Sequence, residues 1–211
     1  MSGDYVLYGR QGGGSVAPQL VLEEMGVPYK IEWVERDAPA QDMVAYRRIA
    51  PTGKIPALTL PDGTSIFESA AICMHLASLP GALKMAPESG TSDHARYLQW
   101  MVFLAANLYD SVIRYYYAAR YTSDPSDSAA EAVKRAALSE FESGLAVIES
   151  QLNGETLVET LSAADFYLYM LASWHPDGDG AVSKKFPKVA RLCQQIGARP
   201  LVKKVMEWNE G

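Results

Sequence analysis

The stretch Ala50-Pro51-Thr52-Gly53-Lys54-Ile55-Pro56-Ala57-Leu58-Thr59-Leu60-Pro61-Asp62-Gly63-Thr64-Ser65-Ile66-Phe67-Glu68-Ser69 decides the reading of this chain. Ala57 to Leu60 and Ser65 to Phe67 flank Pro61-Asp62-Gly63, a strong turn signal, so the segment reads as an antiparallel hairpin. Pro56 stands just before the first of these strands. Proline cannot donate to a ladder, which confines it to an edge, a strand start or a bulge. Two readings of the Ile55–Pro56 bond stay open: a plain strand start, or a cis bond. In the cis form the chain turns sharply and the Ile55 N–H and C=O point outward, where an extended peptide-like ligand can pair as an added strand. Glu68-Ser69 then opens a helix running to Leu79, with Ala71, Ile72, Leu76 and Leu79 on its apolar face. The unpaired N–H groups and positive end of that helix suit a carboxylate. Ser69 can hydrogen-bond such a group while Glu68 holds an ammonium, a combination that matches an α-amino-acid end. An ordinary helix start with an acidic residue in its first turn is the plainer alternative.

Upstream, Tyr5 to Tyr8 reads as a first strand. Gly12-Gly13-Gly14 frees the backbone for an unusual turn, and Ser15 is placed to cap a helix that carries Pro18 in its first turn and ends at Gly26. Leu20, Val21, Leu22 and Met25 give that helix a buried stripe. Tyr29 to Val34 reads as a second strand, and a short helix covers Gln41 to Ile49. The order is βαβ, α, ββ, α, which demands a parallel pair, an antiparallel hairpin and helices on the faces of a mixed sheet. That is a thioredoxin-like arrangement, assigned to residues 1–79.

Downstream, the pattern changes. Residues 80–91 are rich in Pro, Gly and Ser and read as a linker. Residues 92–211 show helical periodicity only: Asp93 to about Arg120, Ser128 to Leu152, Ala163 to Trp174, Lys188 to Ile196, and Pro200 to Trp208. They read as an all-helical bundle domain. The fold class is therefore α/β followed by all-α.

Composition narrows the function. The 211 residues carry 19 Lys+Arg against 25 Asp+Glu, a net charge of −6. Such a balance argues against nucleic-acid or anionic-membrane partners. Cys73 and Cys193 are the only cysteines, so a disulfide scaffold, a CxxC redox pair and a cysteine zinc site are excluded. His75, His94 and His175 lack metal-ligand spacing and read as surface or capping residues. Pro176-Asp177-Gly178-Asp179-Gly180 lacks the remaining ligands of a calcium loop and reads as a surface loop. No metal is expected. With no apolar run of about 18 residues and no secretory pattern in residues 1–15, the expected location is the cytoplasm.

Ser15 is the first candidate for chemistry. A hydroxyl at a helix N-terminus can donate to a thiolate, whose charge the dipole also favours; a simple N-cap serine is the alternative. Tyr8 and Tyr5 in the first strand are rival hydroxyls. Farther on, Asn107 to Tyr121 is rich in tyrosines spaced to share a helix face. Aromatic walls suit a planar apolar electrophile, although core and subunit-interface packing explains each tyrosine equally well.

Together these elements resemble the cytosolic glutathione transferase superfamily over nearly the whole chain. The segment Gly53-Lys54-Ile55-Pro56-Ala57-Leu58 resembles its cis-proline hallmark, and Glu68-Ser69 follows at the family's distance. Leu7-Tyr8, the glycine turn and Ser15-Val16-Ala17-Pro18 look like the active-site segment of bacterial, beta- or theta-like members. Ser162-Ala163-Ala164-Asp165 matches the family's buried capping box. Beta-class members carry a cysteine where this chain has Gly14 or Ser15, so a mixed-disulfide reductase activity is not expected.

The resemblance implies that glutathione binds the N-terminal domain as co-substrate: Ile55 and Pro56 against the cysteinyl backbone, Glu68 and Ser69 at the γ-glutamyl end, Lys54 near the glycyl carboxylate, and Ser15, or else Tyr8 or Tyr5, at the sulfur. It also implies an electrophile site walled by the active-site turn and the first helices of the second domain, for which Gly14, Tyr109, Arg114, Tyr116, Tyr117 and Trp174 are the candidates. The implied activity is transfer of glutathione to a small hydrophobic electrophile, as in detoxification, by a homodimer. A non-catalytic glutathione-binding module and a glutathione-dependent isomerase, peroxidase or dehalogenase are the alternatives.

Overall fold

The computed structural model describes residues 4–36, 38–81 and 83–209. Contacts divide the chain into two compact units, Met1–Ala86 with Gly197–Gly211, and Pro87–Ile196.

In the first unit, β1 (Tyr5–Gly9), β2 (Tyr29–Trp33), β3 (Ala57–Thr59) and β4 (Ser65–Phe67) form one sheet in the order β2-β1-β3-β4. β1 pairs parallel with β2 and antiparallel with β3, and β3 pairs antiparallel with β4. This is the mixed thioredoxin-like sheet that the element order requires. The hairpin closes as its turn chemistry dictates: Gly63 adopts φ 89°, and the Asp62 carboxylate accepts the Thr64 N–H at 2.8 Å. Helix α1 (Val16–Met25) buries Leu20, Val21 and Leu22 and stops at Gly26, whose φ of 64° is open to glycine at no steric cost. Helix α3 (Ser69–Ala77) packs against α1, with Ile72, Cys73 and Leu76 fully buried. The short helix α2 (Ala40–Tyr46) contributes Tyr46 to a separate cluster with Ala50 and Ala57.

Residues 197–211 group with this unit, whereas their helical pattern places them with the second half of the sequence. The reason is packing: helix α10 (Pro200–Asn209) buries Val202 and Val205 and lies on α1.

The second unit is helical: α4 (Ser92–Phe103), α5 (Asp110–Tyr116), α6 (Asp127–Gln151), α7 (Ala163–Ser173), α8 (Gly178–Lys185) and α9 (Pro187–Gly197). Three expectations need correction. The long helix expected from Asp93 to Arg120 is broken by a π-helical turn at Leu104–Tyr109 and gives way to a 3₁₀ turn at Ala118–Tyr121. The π turn seats Leu108 against Gly144 of α6, where an added Cβ would meet the Leu108 side chain at 2.5 Å. The expected surface loop at 176–180 instead starts a helix. Gly178 takes φ 73°, and α8 carries Asp179 in its first turn and Lys184 and Lys185 in its last, both in accord with the helix dipole. His175 is buried rather than superficial; its Nδ1 accepts the Asp177 N–H at 3.1 Å, and its Nε2 lies 3.4 Å from Glu142.

The capping box forms. Asp165 is fully buried, and its carboxylate accepts the Ser162 N–H at 2.8 Å, the Ser162 hydroxyl at 2.9 Å and the Leu157 N–H at 2.7 Å. Burial nevertheless pushes its pKa up to about 6. No described helix is long and apolar enough to cross a membrane.

Candidate functional site

The site in the first unit is assembled at the carboxyl end of β1, where ligands of open α/β sheets bind. The turn after β1 is held tightly. The Gly13 N–H donates to the Arg10 carbonyl at 3.0 Å, and the Val16 N–H to the Gly13 carbonyl at 3.1 Å. Arg10 anchors the turn to the end of β2, its Nε and Nη2 donating to the Val34 and Glu35 carbonyls.

Ser15 occupies the N-cap position of α1 but makes no cap bond with its side chain, which corrects the expected cap. Its hydroxyl is fully buried, donates to the Arg10 carbonyl and accepts the Arg10 N–H, each at 3.1 Å. The single hydroxyl proton is thus committed to the protein's own backbone. Gly14 is buried beside it.

The loop 51–56 meets this turn. The Ile55–Pro56 bond is cis. Ile55 precedes β3, and its N–H and C=O have no hydrogen-bond partner among the described residues. A Cβ added at Gly13 would lie 3.0 Å from Ile55 Cδ1, so the turn and the loop are in close approach. Tyr8, half-buried in β1 opposite Ala57, packs with Ile55 on the cluster of Tyr46, Ala50 and Ala57, its ring 5.8 Å from that of Tyr46. Tyr5 begins the same strand, three residues and about 10 Å farther from the turn. Lys54 is exposed.

Glu68 stands at the N-cap of α3 with φ 72° and ψ 112°, and among the described residues it alone has a positive φ without being glycine. A bulky residue in that region is strained by about 1–3 kcal/mol, a condition that clusters at ligand-binding positions. Its side chain is exposed, whereas Ser69 is only 5% exposed at the first position of the helix. Ile55 and Glu68-Ser69 are joined through the β3–β4 hairpin, in which Ala57 pairs with Phe67.

Reading the sequence missed Tyr46, Arg47, Arg10 and Asn209. Tyr46 donates its hydroxyl to the Lys54 carbonyl at 2.9 Å, directly before Ile55, and burial pushes its pKa up to about 12. Arg47 donates to the Pro51 carbonyl and fills the space beside Gly53, where φ is 65° and an added Cβ would meet the guanidinium at 2.7 Å. The available signal was one aromatic residue ending a short helix, seven residues before Gly53.

In the helical unit, Tyr109 ends the π turn edge-on to Trp174, with ring centroids 5.5 Å apart, and 6.4 Å from the ring of Tyr167. Tyr116 donates to the Trp174 carbonyl at 3.0 Å and stays exposed. Tyr117 is covered by the Arg120 guanidinium at 4.3 Å. Arg114 is engaged by two carboxylates, Asp110 at 2.9 Å and Glu140. Tyr109 and Trp174 therefore form an aromatic pair that Tyr116 joins through the Trp174 backbone carbonyl, while the charge of Arg114 is neutralised locally. Neither thiol is poised for chemistry: burial raises both, Cys193 to about 12 and Cys73 well above its usual range.

Known proteins share this architecture. Residues 17–79 match the family model for the glutathione S-transferase N-terminal domain, and residues 109–208 that for the C-terminal domain. The chain belongs to the cytosolic glutathione S-transferase superfamily. It is 23% identical over 209 residues to the uncharacterized GST-like protein YncG of Escherichia coli K12, covering 97% of this chain and 98% of that one. It is 25% identical over 172 residues to glutathione S-transferase GstA of Escherichia coli O157:H7, covering 80% and 81%. A glutathione transferase homologue from Sulfitobacter, solved with bound glutathione, superposes with a TM-score of 0.86 at 28% identity over 99% of both chains. A sphingomonad glutathione S-transferase complexed with glutathione gives 0.78 at 25% identity, over 97% and 98%.

Proposed function

We propose that this protein is a glutathione transferase that binds glutathione in its first unit and presents the sulfur to a hydrophobic electrophile. The observation that carries the reading is the unpaired N–H and C=O of Ile55, in the loop that closely approaches the glycine turn at the head of α1. A peptide-like ligand pairs there as an added strand. Glu68 offers a carboxylate to an ammonium, and Ser69 with the first N–H groups of α3 holds the adjoining carboxylate. Lys54 lies in reach of a second carboxylate at the other end of an extended ligand. The two glutathione-bound relatives of the same fold support this assignment.

Thiolate formation is assigned to the head of α1 and to Tyr8. The Ser15 hydroxyl is spent on Arg10, so its part is to hold the turn. Tyr8 lies beside Ile55 and its hydroxyl makes no hydrogen bond among the described residues. Lowering a thiol pKa by about 2 units takes about 2.7 kcal/mol, which one phenolic hydrogen bond to an anion and a helix dipole together supply. The reaction is then thiolate activation plus proximity, with no covalent enzyme intermediate. Tyr109, Tyr116 and Trp174 supply an aromatic surface for the electrophile. We place the protein in the cytoplasm, as a homodimer serving detoxification.

The inward-facing Ser15 hydroxyl favours one second reading, a glutathione-binding module without turnover. Assaying transfer to an aryl halide separates the two. Turnover that falls on Tyr8→Phe supports the transferase, and binding without turnover supports the module.

A further inference from the structure

Helix α10 runs antiparallel along α1 and is fastened at both ends. At one end Arg199 pairs with Glu24, which is 7% exposed. At the other, the buried Asn209 side chain enters the space under the glycine turn. Its Nδ2 donates to the Val205 carbonyl at 2.8 Å and to Gln19 Oε1 at 2.9 Å, while its Oδ1 accepts the Gly12 N–H at 3.3 Å. Gln11 adds a bond from its Nε2 to the Trp208 carbonyl at 3.2 Å. The amide orientation is dictated by its neighbours: reversing it would face an NH₂ against the Gly12 N–H and an oxygen against two oxygens.

We propose that Asn209 is a positioning residue of the glutathione site, which fixes the Gly12 N–H and thereby sets the glycine turn against Ile55. This rests on the transferase reading above. Gly12 has φ 62° and is exposed, so its own backbone preferences do not hold it. The Arg10–Ser15 and Arg10–Gly13 bonds close the turn upon itself, and the Arg10 side chain ties its leading residue to the end of β2, but none of these bonds reaches Gly12. The Asn209 bond ties it to a helix nearly two hundred residues away in sequence, and through Gln19 to the body of α1. The turn that meets the sulfur is thus referenced to the C-terminal helix. Loss of the tie displaces the sulfur relative to its hydrogen-bond donors, while Ile55, Glu68 and Ser69 keep their hold on the rest of the ligand. The effect belongs in kcat and in the thiol pKa more than in KM.

The test compares Asn209→Leu, of similar volume, with Arg199→Ala, which loosens the same helix at its far end. Amide exchange at Gly12 to Gly14, the pKa of the bound glutathione thiol and steady-state kinetics are measured on each full-length protein. The proposal predicts for Asn209→Leu faster exchange confined to that turn, a thiol pKa moved toward its free value, and kcat lower by roughly tenfold to a hundredfold with KM for glutathione changed less than about twofold. Arg199→Ala lowers the melting temperature and leaves exchange at the turn and kcat as in the wild type. If Asn209→Leu does not fold, Gln19→Leu, which removes the partner orienting the amide, shows the same pattern more weakly. Unchanged exchange at Gly12 to Gly14, or identical kinetic losses in both helix variants, overturns the proposal. Failure of the wild type to bind glutathione overturns the transferase reading instead, and the exchange data still decide whether Asn209 orders the turn.

Discussion

The Ser15 hydroxyl is closed on the backbone of Arg10, 3.1 Å from its nitrogen and 3.1 Å from its carbonyl oxygen. The pair forms because Gly9 leaves room for it; a Cβ there would meet Ser15 Oγ at 2.6 Å. One hydroxyl thereby satisfies both hydrogen-bonding groups of the residue that leads into the glycine turn. Ser15→Ala is expected to leave the Arg10 N–H unpaired, the carbonyl still accepting from Gly13, and cost about 1–3 kcal/mol, a fall of about 2–12 °C in melting temperature for a chain of this size. Tyr8→Phe keeps the ring against Tyr46, leaves the melting temperature nearly unchanged and raises the bound thiol pKa by about 1–2 units. Differential scanning calorimetry with ultraviolet titration of the bound thiolate checks both.

Glu68 carries two roles that separate by substitution. Glu68→Gly removes the penalty of φ 72° and raises stability by about 1 kcal/mol, yet it deletes the carboxylate offered to the ammonium. Glutathione affinity is expected to fall roughly tenfold or more, the loss of one charge-assisted bond. Glu68→Gln keeps the strain and loses the charge. Chemical denaturation and calorimetric titration of the three proteins resolve the two effects.

Tyr46 holds the Lys54 carbonyl from below. Tyr46→Phe costs about 1 kcal/mol of stability and releases the peptide leading into Ile55. Glutathione affinity falls about threefold to tenfold, the equivalent of about 0.6–1.4 kcal/mol, with no change in the thiol pKa of the ligand that still binds. Titration calorimetry of the variant measures it.

Asp165 has a folded-state pKa raised by burial from the ordinary 3.8 to about 6. The folded protein therefore binds this proton more tightly than the unfolded chain. The resulting stability is fully present below about pH 4 and is lost as pH rises through about 6, with a span of about 3 kcal/mol. Asp165→Asn lacks the titration. The stability difference between wild type and variant is expected to be larger at pH 4 than at pH 6.5, measured by urea denaturation across that range.

Much of the fold was legible because its signals are local. Pro61-Asp62-Gly63 specifies its hairpin, Gly26 its helix end, and Ser162 with Asp165 its capping box, each within a few residues. Glu68-Ser69 opens its helix for the same reason. The direction of the Ser15 hydroxyl was not legible. A cap and a backward bond to Arg10 use the same residue, and the turn conformation chooses between them. The π turn at Leu104–Tyr109 escapes helical periodicity because one extra residue shifts the pattern too little to see over six positions. Gly178 and Gly180 mimic a loop inside what is helix α8. Tyr46 and Asn209 reach the site only through tertiary contacts, which no spacing rule exposes.

The most direct measurement is titration of the wild-type protein with glutathione by calorimetry, together with the thiolate absorbance of the bound ligand as pH is raised. The account predicts saturable binding at one site per chain and a bound thiol that ionises about 2 units below its free value. Absence of binding would contradict the assignment of Ile55, Glu68 and Ser69 to glutathione. Binding with an unshifted thiol would contradict the claim that this chain activates it.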